Sequence, residues 1–179
     1  MNGDLYLADA LKRFREAHAQ CDRALAQVPV ERWAHRLDPE SNSLATLMLH
    51  LSGNMLSRWT DFLTTDGEKL DRHRDAEFED PETFDPRALR DRWERGWARL
   101  FDALESLTAA DLDRTVTIRH EPHTVLEAIN RQLAHYPYHA GQMVFLAKHL
   151  APGSWQSLSV ARGGSVAYNA AKMKDQSQA

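Results

Sequence analysis

Leu11, Phe14, His18, Cys21, Leu25 and Val28 recur at alternating spacings of three and four residues, which places them on one face of a helix. The pattern predicts a first helix from about Leu5 to about Gln27. Pro29 and the polar run Asp38-Pro39-Glu40-Ser41-Asn42 interrupt it, because proline cannot continue a helix and Ser and Asn favour caps and turns. Leu44, Leu47, Leu51, Met55, Trp59 and Phe62 predict a second helix, capped by Asn42 or Ser43 and finished before Gly67. From Asp66 to Asp85 the chain is nearly all charge, with two phenylalanines, Phe78 and Phe84, and reads as a long connection. Asp85-Pro86 then signals a third helix, a capping acid followed by proline at the first helical position. Its stripe is Leu89, Trp93, Trp97, Leu100, Leu104 and Leu107, slightly weakened by Gly96. Val116, Ile118 and Glu121-Pro122 suggest a short extended segment and a turn. Thr124 and Glu127 have capping-box spacing and open a fourth helix, Val125 to about Leu150, that ends before Pro152-Gly153. From about residue 152 the periodicity fades, and an irregular arm is expected.

Four long amphipathic helices, one charged crossover and no convincing sheet predict an all-α fold, a four-helix bundle with a long crossover connection. A chain of 179 residues suits one domain, 1–179. The formal charge of -4 offers no basic excess for phosphates, so no nucleic-acid partner is expected. The single cysteine, Cys21, rules out an intramolecular disulfide and reads as a small core residue. Acids at Asp4 and Asp9 stand where a signal peptide would be basic, and no apolar run is long enough to cross a membrane. A cytoplasmic protein with no membrane partner is the expectation.

The fourth helix carries His135-Tyr136-Pro137-Tyr138-His139, two histidines at i and i+4 that project from the same face. They border a stripe with Leu146, Gln142 and Gln132 or Asn130, whereas Arg131 and Lys148 fall elsewhere. His50 lies one turn after Leu47 in the seam of the second helix. An unpaired polar ring in a core costs about 1–3 kcal/mol, so histidines in two facing seams require a partner. A shared divalent ion held by His50, His135 and His139 supplies one, and buried or surface histidines without metal are the alternative. Neutral imidazoles suit zinc or nickel, and also iron. Three ligands leave open positions. His18 is a candidate fourth ligand, or else a core histidine bonded to a carbonyl. No E-x-x-H, H-E-x-x-H or P-loop pattern is present, which argues against di-iron carboxylate, zinc-protease and nucleotide-binding readings.

Leu49-His50-Leu51 with His135 and Tyr138-His139-Ala140-Gly141-Gln142 resembles the DinB-like superfamily of three-histidine helix bundles. Gly53-Asn54, Arg58-Trp59, Asp66-Gly67-Glu68-Lys69, Arg72, Arg74, Glu77-Phe78, Leu158-Ser159 and Arg162-Gly163 extend the likeness to an uncharacterised branch of that superfamily. The resemblance implies a homodimer with a metal at one end of the seam, and Trp93 and Trp97 are expected to offer surface for dimerisation. It also implies a thiol-dependent transferase or isomerase using bacillithiol, mycothiol or glutathione as a low-molecular-weight thiol cosubstrate. On that reading the ion activates a thiol toward a small-molecule electrophile; the catalytic residues are unassigned, and Asn54 and Arg58 are candidates to line the pocket. For Asn54 a cap or interhelical bond, and for Arg58 a salt bridge, are the alternatives. Arg72 and Arg74 are expected to pin helix ends or a dimer partner, and Tyr136 and Tyr138 to pack. Metal-assisted hydrolysis and a non-catalytic, stress-related binding or scaffold role are the competing functions. Pro137 departs from the family pattern and is expected to kink the helix between His135 and His139.

Overall fold

The computed structural model describes residues 2–79 and 85–176. These residues are mostly helical: α1 Gly3–Leu25, α2 Leu44–Trp59, α3 Pro86–Glu105, α4 Val125–Leu150 and α5 Ser165–Gln176. Short 3₁₀ turns occupy Val30–Arg32, Asp75–Glu77 and Ala109–Asp111. Asp80 and Phe84 of the charged crossover lie outside the described residues.

The start signals act as their chemistry dictates. Ser43 Oγ accepts from the Thr46 amide at 3.0 Å, and Asp85 accepts from the Arg87 amide at 2.9 Å, each satisfying one otherwise unpaired donor of a first turn. Thr124 and Glu127 cap one another reciprocally at α4. α2 ends at Trp59, earlier than its apolar stripe. Thr60 is extended and Asp61 takes a positive φ of 48°, yet Phe62 stays buried and meets Trp59 edge-on at 5.1 Å. Leu107 is likewise buried just beyond the end of α3.

α2 packs along α3 and α1 along α4, with lesser contacts between α2 and α4 and between α1 and α3. Phe14, Trp93, Trp97 and Tyr136 belong to the core between them, each at most 1% exposed. Trp93 and Trp97 are therefore internal and supply no dimerisation surface. Gly96 explains itself here: a β-carbon would lie 3.1 Å from Ser52 Cα and 3.0 Å from Met55 Cε, so its absence lets α3 approach α2. That close packing offsets the weaker helix propensity of glycine.

Two features correct the sequence reading. Thr115–Ile118 (β1) and Glu121–Thr124 (β2) form a two-stranded antiparallel sheet, with Thr115 opposite Thr124 and Ile118 opposite Glu121. Val116 and Ile118 bury one face of it. The arm beyond Pro152 contains α5, whose described side chains are all exposed. Its apolar residues, Val166, Tyr168 and Met173, are exposed, so no core-facing stripe announced it. Among the described residues no helix is long and apolar enough to cross a membrane.

Candidate metal centre

His50 projects from the middle of α2, and His135 and His139 from successive turns of α4. Their Nε2 atoms converge: His135 Nε2 lies 3.3 Å from that of His50 and 3.1 Å from that of His139. Each Nδ1 is directed away toward an oxygen. His50 Nδ1 donates to Glu77 Oε2 at 3.0 Å, His135 Nδ1 to Gln132 Oε1 at 3.2 Å, and His139 Nδ1 to Gln142 Oε1 at 2.8 Å. A neutral imidazole carries one proton, and these bonds place it on Nδ1 in all three rings. The three Nε2 lone pairs then face one another, an arrangement that repels unless a cation sits among them. Tetrahedral nitrogen ligands at about 2.0–2.1 Å from zinc stand about 3.3 Å apart, which fits the separations present.

Protonation is a poor substitute for a metal here. Burial lowers the pKa of His135 to about 3, with the positive charges of His139, His50, Arg72 and Arg58 adding to the effect. Burial also lowers that of His139, against the opposing effect of its hydrogen bond to the Gln142 side-chain oxygen. The donor set, its outer partners and its burial are together those of a group able to hold a metal ion.

Glu77 anchors this arrangement from behind. It is 6% exposed and is gripped by Arg72 through two parallel bonds, Nε to Oε1 and Nη2 to Oε2, both 2.8 Å. Burial works to raise its pKa, but the bonds from Arg72 and His50 outweigh burial and hold it below the usual range. Arg72 thus pins the crossover on itself. Gly53 makes room, since a β-carbon there would fall 2.1 Å from Glu77 Oε1. Phe78 lays its ring 4.7 Å from that of His50.

The centre forms part of the wall of an open cavity of about 670 Å³. Both pocket candidates line it. Asn54 Oδ1 accepts from the Tyr136 hydroxyl at 3.0 Å, and the same hydroxyl accepts from Trp59 Nε1 at 3.0 Å, an interhelical chain that fixes the Asn54 amide. Arg58 is 4% exposed. Arg72, Arg74, Arg119 and Arg131 also line the cavity, as do Tyr138 and Phe78. Arg131 thus shares the cavity with His135 and His139, contrary to its expected place off the stripe.

Arg119 owes its position to the β1–β2 turn. Arg119 and His120 both have positive φ, 55° and 65°, which side chains rarely tolerate. Asp66 holds them there: its carboxylate accepts from the Arg119 amide at 2.9 Å, the His120 amide at 2.7 Å and the Glu68 amide at 2.7 Å. Burial opposes ionisation, yet these backbone donors lower its pKa to about 2.

Among the described residues His18 does not join the three-histidine group and bonds no carbonyl. It stacks on Trp97, with ring centroids 4.8 Å apart, and lies 3.1 Å from Asp22 and 3.6 Å from Glu94, away from the three-histidine group. Cys21 is fully buried. Pro137 lies within an unbroken α4, on an exposed face, and the two histidines flanking it still converge. Sequence reading named Glu77 only within the family likeness and Arg72 and Arg74 as pins for helix ends or a dimer partner, and it gave Arg119 and Arg131 no place at the site. It placed Gln132 and Gln142 on the stripe without a role, although each stands one turn from its histidine.

Fold and site together define a class, a mostly helical protein with three convergent histidines that could hold a metal ion. The chain belongs to the family described as protein of unknown function (DUF1572), which matches residues 2–164. No functionally curated protein matches it.

Proposed function

We propose that this protein is a divalent-metal-dependent enzyme of the DinB-like type, its four long helices forming a bundle, that transfers a small-molecule thiol to an electrophile. The observation that carries this reading is the convergence of three Nε2 lone pairs at the wall of an open cavity, every Nδ1 proton being committed elsewhere. His50, His135 and His139 would hold zinc, nickel or iron(II), and Glu77, Gln132 and Gln142 orient them. A divalent ion held there would supply Lewis acidity that favours the thiolate form of a cosubstrate at neutral pH. The chain's own contribution is binding and orientation. Phe78 shields His50 on one side, Tyr138 flanks the opening, and Asn54 is held with its amide fixed by Tyr136. Hydrolysis would use the same open site, but among the described residues the cavity lining offers five arginines and no carboxylate to serve as a base toward water.

The test starts with metal analysis of the purified protein. One divalent ion per chain is expected, and strong loss of it in His50→Ala, His135→Ala and His139→Ala variants that remain helical. Cobalt substituted at the site should change its visible spectrum when a small thiol is titrated in. A spectrum indifferent to thiols, imidazole and azide alike would mean a closed coordination shell and overturn the enzymatic reading.

A further inference from the structure

Two stripes face each other across the cavity. On α2, His50, Asn54 and Arg58 follow at intervals of four residues; on α4, Arg131, His135 and His139 do the same. The helices run in opposite directions here, because His50 meets His135 and His139 while Arg58, eight residues further along α2, interacts electrostatically with Arg131, four residues before His135 on α4. Both stripes therefore place their histidines at one end and their arginine at the other. The offset is one turn on α4 and two on α2, about 6–12 Å along the axis.

The arginine end is electrically incomplete. Arg58 is buried, yet among the described residues its Nε and Nη1 have no hydrogen-bond partner. Its nearest carboxylate oxygen, Glu68 Oε2, is 3.7 Å from Nη2 and is shared with Arg72 and Arg119, each at 3.4 Å. Glu77, which is buried, is occupied by Arg72 and His50. A buried guanidinium with unused donors costs free energy that a second negative group would recover. Arg131, exposed on the facing helix, adds positive charge at the rim. Planar, forked guanidinium donors match the oxygens of a carboxylate or phosphoryl group.

We infer that the cavity receives an anionic substrate, a molecule whose carboxylate or phosphoryl group docks on Arg58 and Arg131 while its reactive end reaches the three histidines. This deepens the proposed function and rests on it for the role of the histidine end. The anion site itself is independent of metal, and the experiment separates the two.

In the cobalt-substituted protein, 3-mercaptopropionate is compared with 3-mercaptopropan-1-ol, a neutral thiol of equal length. The carboxylate should bind at least tenfold more tightly. Arg58→Met should bring the two within about twofold, with cobalt content per chain unchanged. Arg131→Gln, at an exposed position where folding is not at stake, should reduce the preference severalfold. Metal-free protein is titrated calorimetrically with succinate and with inorganic phosphate. Binding of either that is lost in Arg58→Met supports the anion site and identifies which anion it prefers. Anion binding together with a cobalt spectrum blind to both thiols would keep the site and remove the metal-thiol reading. Equal affinity for the two thiols, with no binding of succinate or phosphate, would overturn the inference and leave that reading standing. A carboxylate preference that survives both substitutions would also overturn it.

Discussion

One absent methyl group at Gly53 decides how closely Glu77 approaches His50. Alanine is the better helix former by about 1 kcal/mol, so on propensity alone Gly53→Ala should stabilise α2. Its β-carbon, however, would sit 2.1 Å from the carboxylate oxygen that Arg72 holds, and the carboxylate must retreat. His50 then loses the acceptor that fixes its tautomer. Loss of such an outer partner costs about 10–100-fold in metal affinity, so Gly53→Ala is expected to weaken binding by that order without loss of helicity. Competition against a chromophoric chelator measures it. Glu77→Gln, which keeps an acceptor oxygen but loses the charge and part of the Arg72 grip, should fall between the two proteins. The i,i+4 pair His135 and His139 is a weak signal alone; the histidines were legible because the pair borders an apolar stripe and His50 lies in the seam of a second helix. Glu77 was not, since it lies 27 residues from His50 in a stretch where charge is the rule and no period marks one acid out.

The helices that bury a continuous stripe were readable from the chain: Val125–Leu150 matches its expected bounds, and Ser43, Asp85 and Thr124 cap where their types suggested. Elements held by tertiary partners were not. β1 and β2 are four residues each, too short for alternation to stand out, and their turn relies on Asp66 from the distant crossover. Asp66→Ala removes the acceptor of three backbone amides and should cost about 2 kcal/mol of stability, since bonds to a charged acceptor are among the stronger ones. The pH dependence follows from its depressed pKa. Asp66 stays ionised in the fold down to about 2, whereas an unfolded aspartate protonates near 3.9. Its contribution is therefore full above about pH 3.9 and is lost as pH falls through about 2. Urea titrations should find a constant gap between wild type and variant from pH 7 to 5 that narrows toward pH 2. An unchanged gap at pH 2 would show that the carboxylate's charge is irrelevant to the turn.

For the whole molecule, the family match ends at residue 164, where the packed part of the chain also gives way to α5. Because every described side chain of α5 is exposed, removal of residues 165–179 should leave thermal stability and metal content within error of the full chain. A large fall in melting temperature would mean that α5 covers something in solution. The interior holds a further asset. Cys21 is the only cysteine of the chain, is fully buried in α1, and burial pushes its thiol pKa up to about 12. At neutral pH it is neither a thiolate nor within reach of reagents. A catalyst that brings thiolates and electrophiles together runs a standing risk of alkylating itself or of being trapped as a mixed disulfide with its own cosubstrate. On the proposed thiol-transfer reading, the chain keeps its one thiol where neither accident could happen, so its working life among reactive compounds would be limited by unfolding rather than by modification of that thiol.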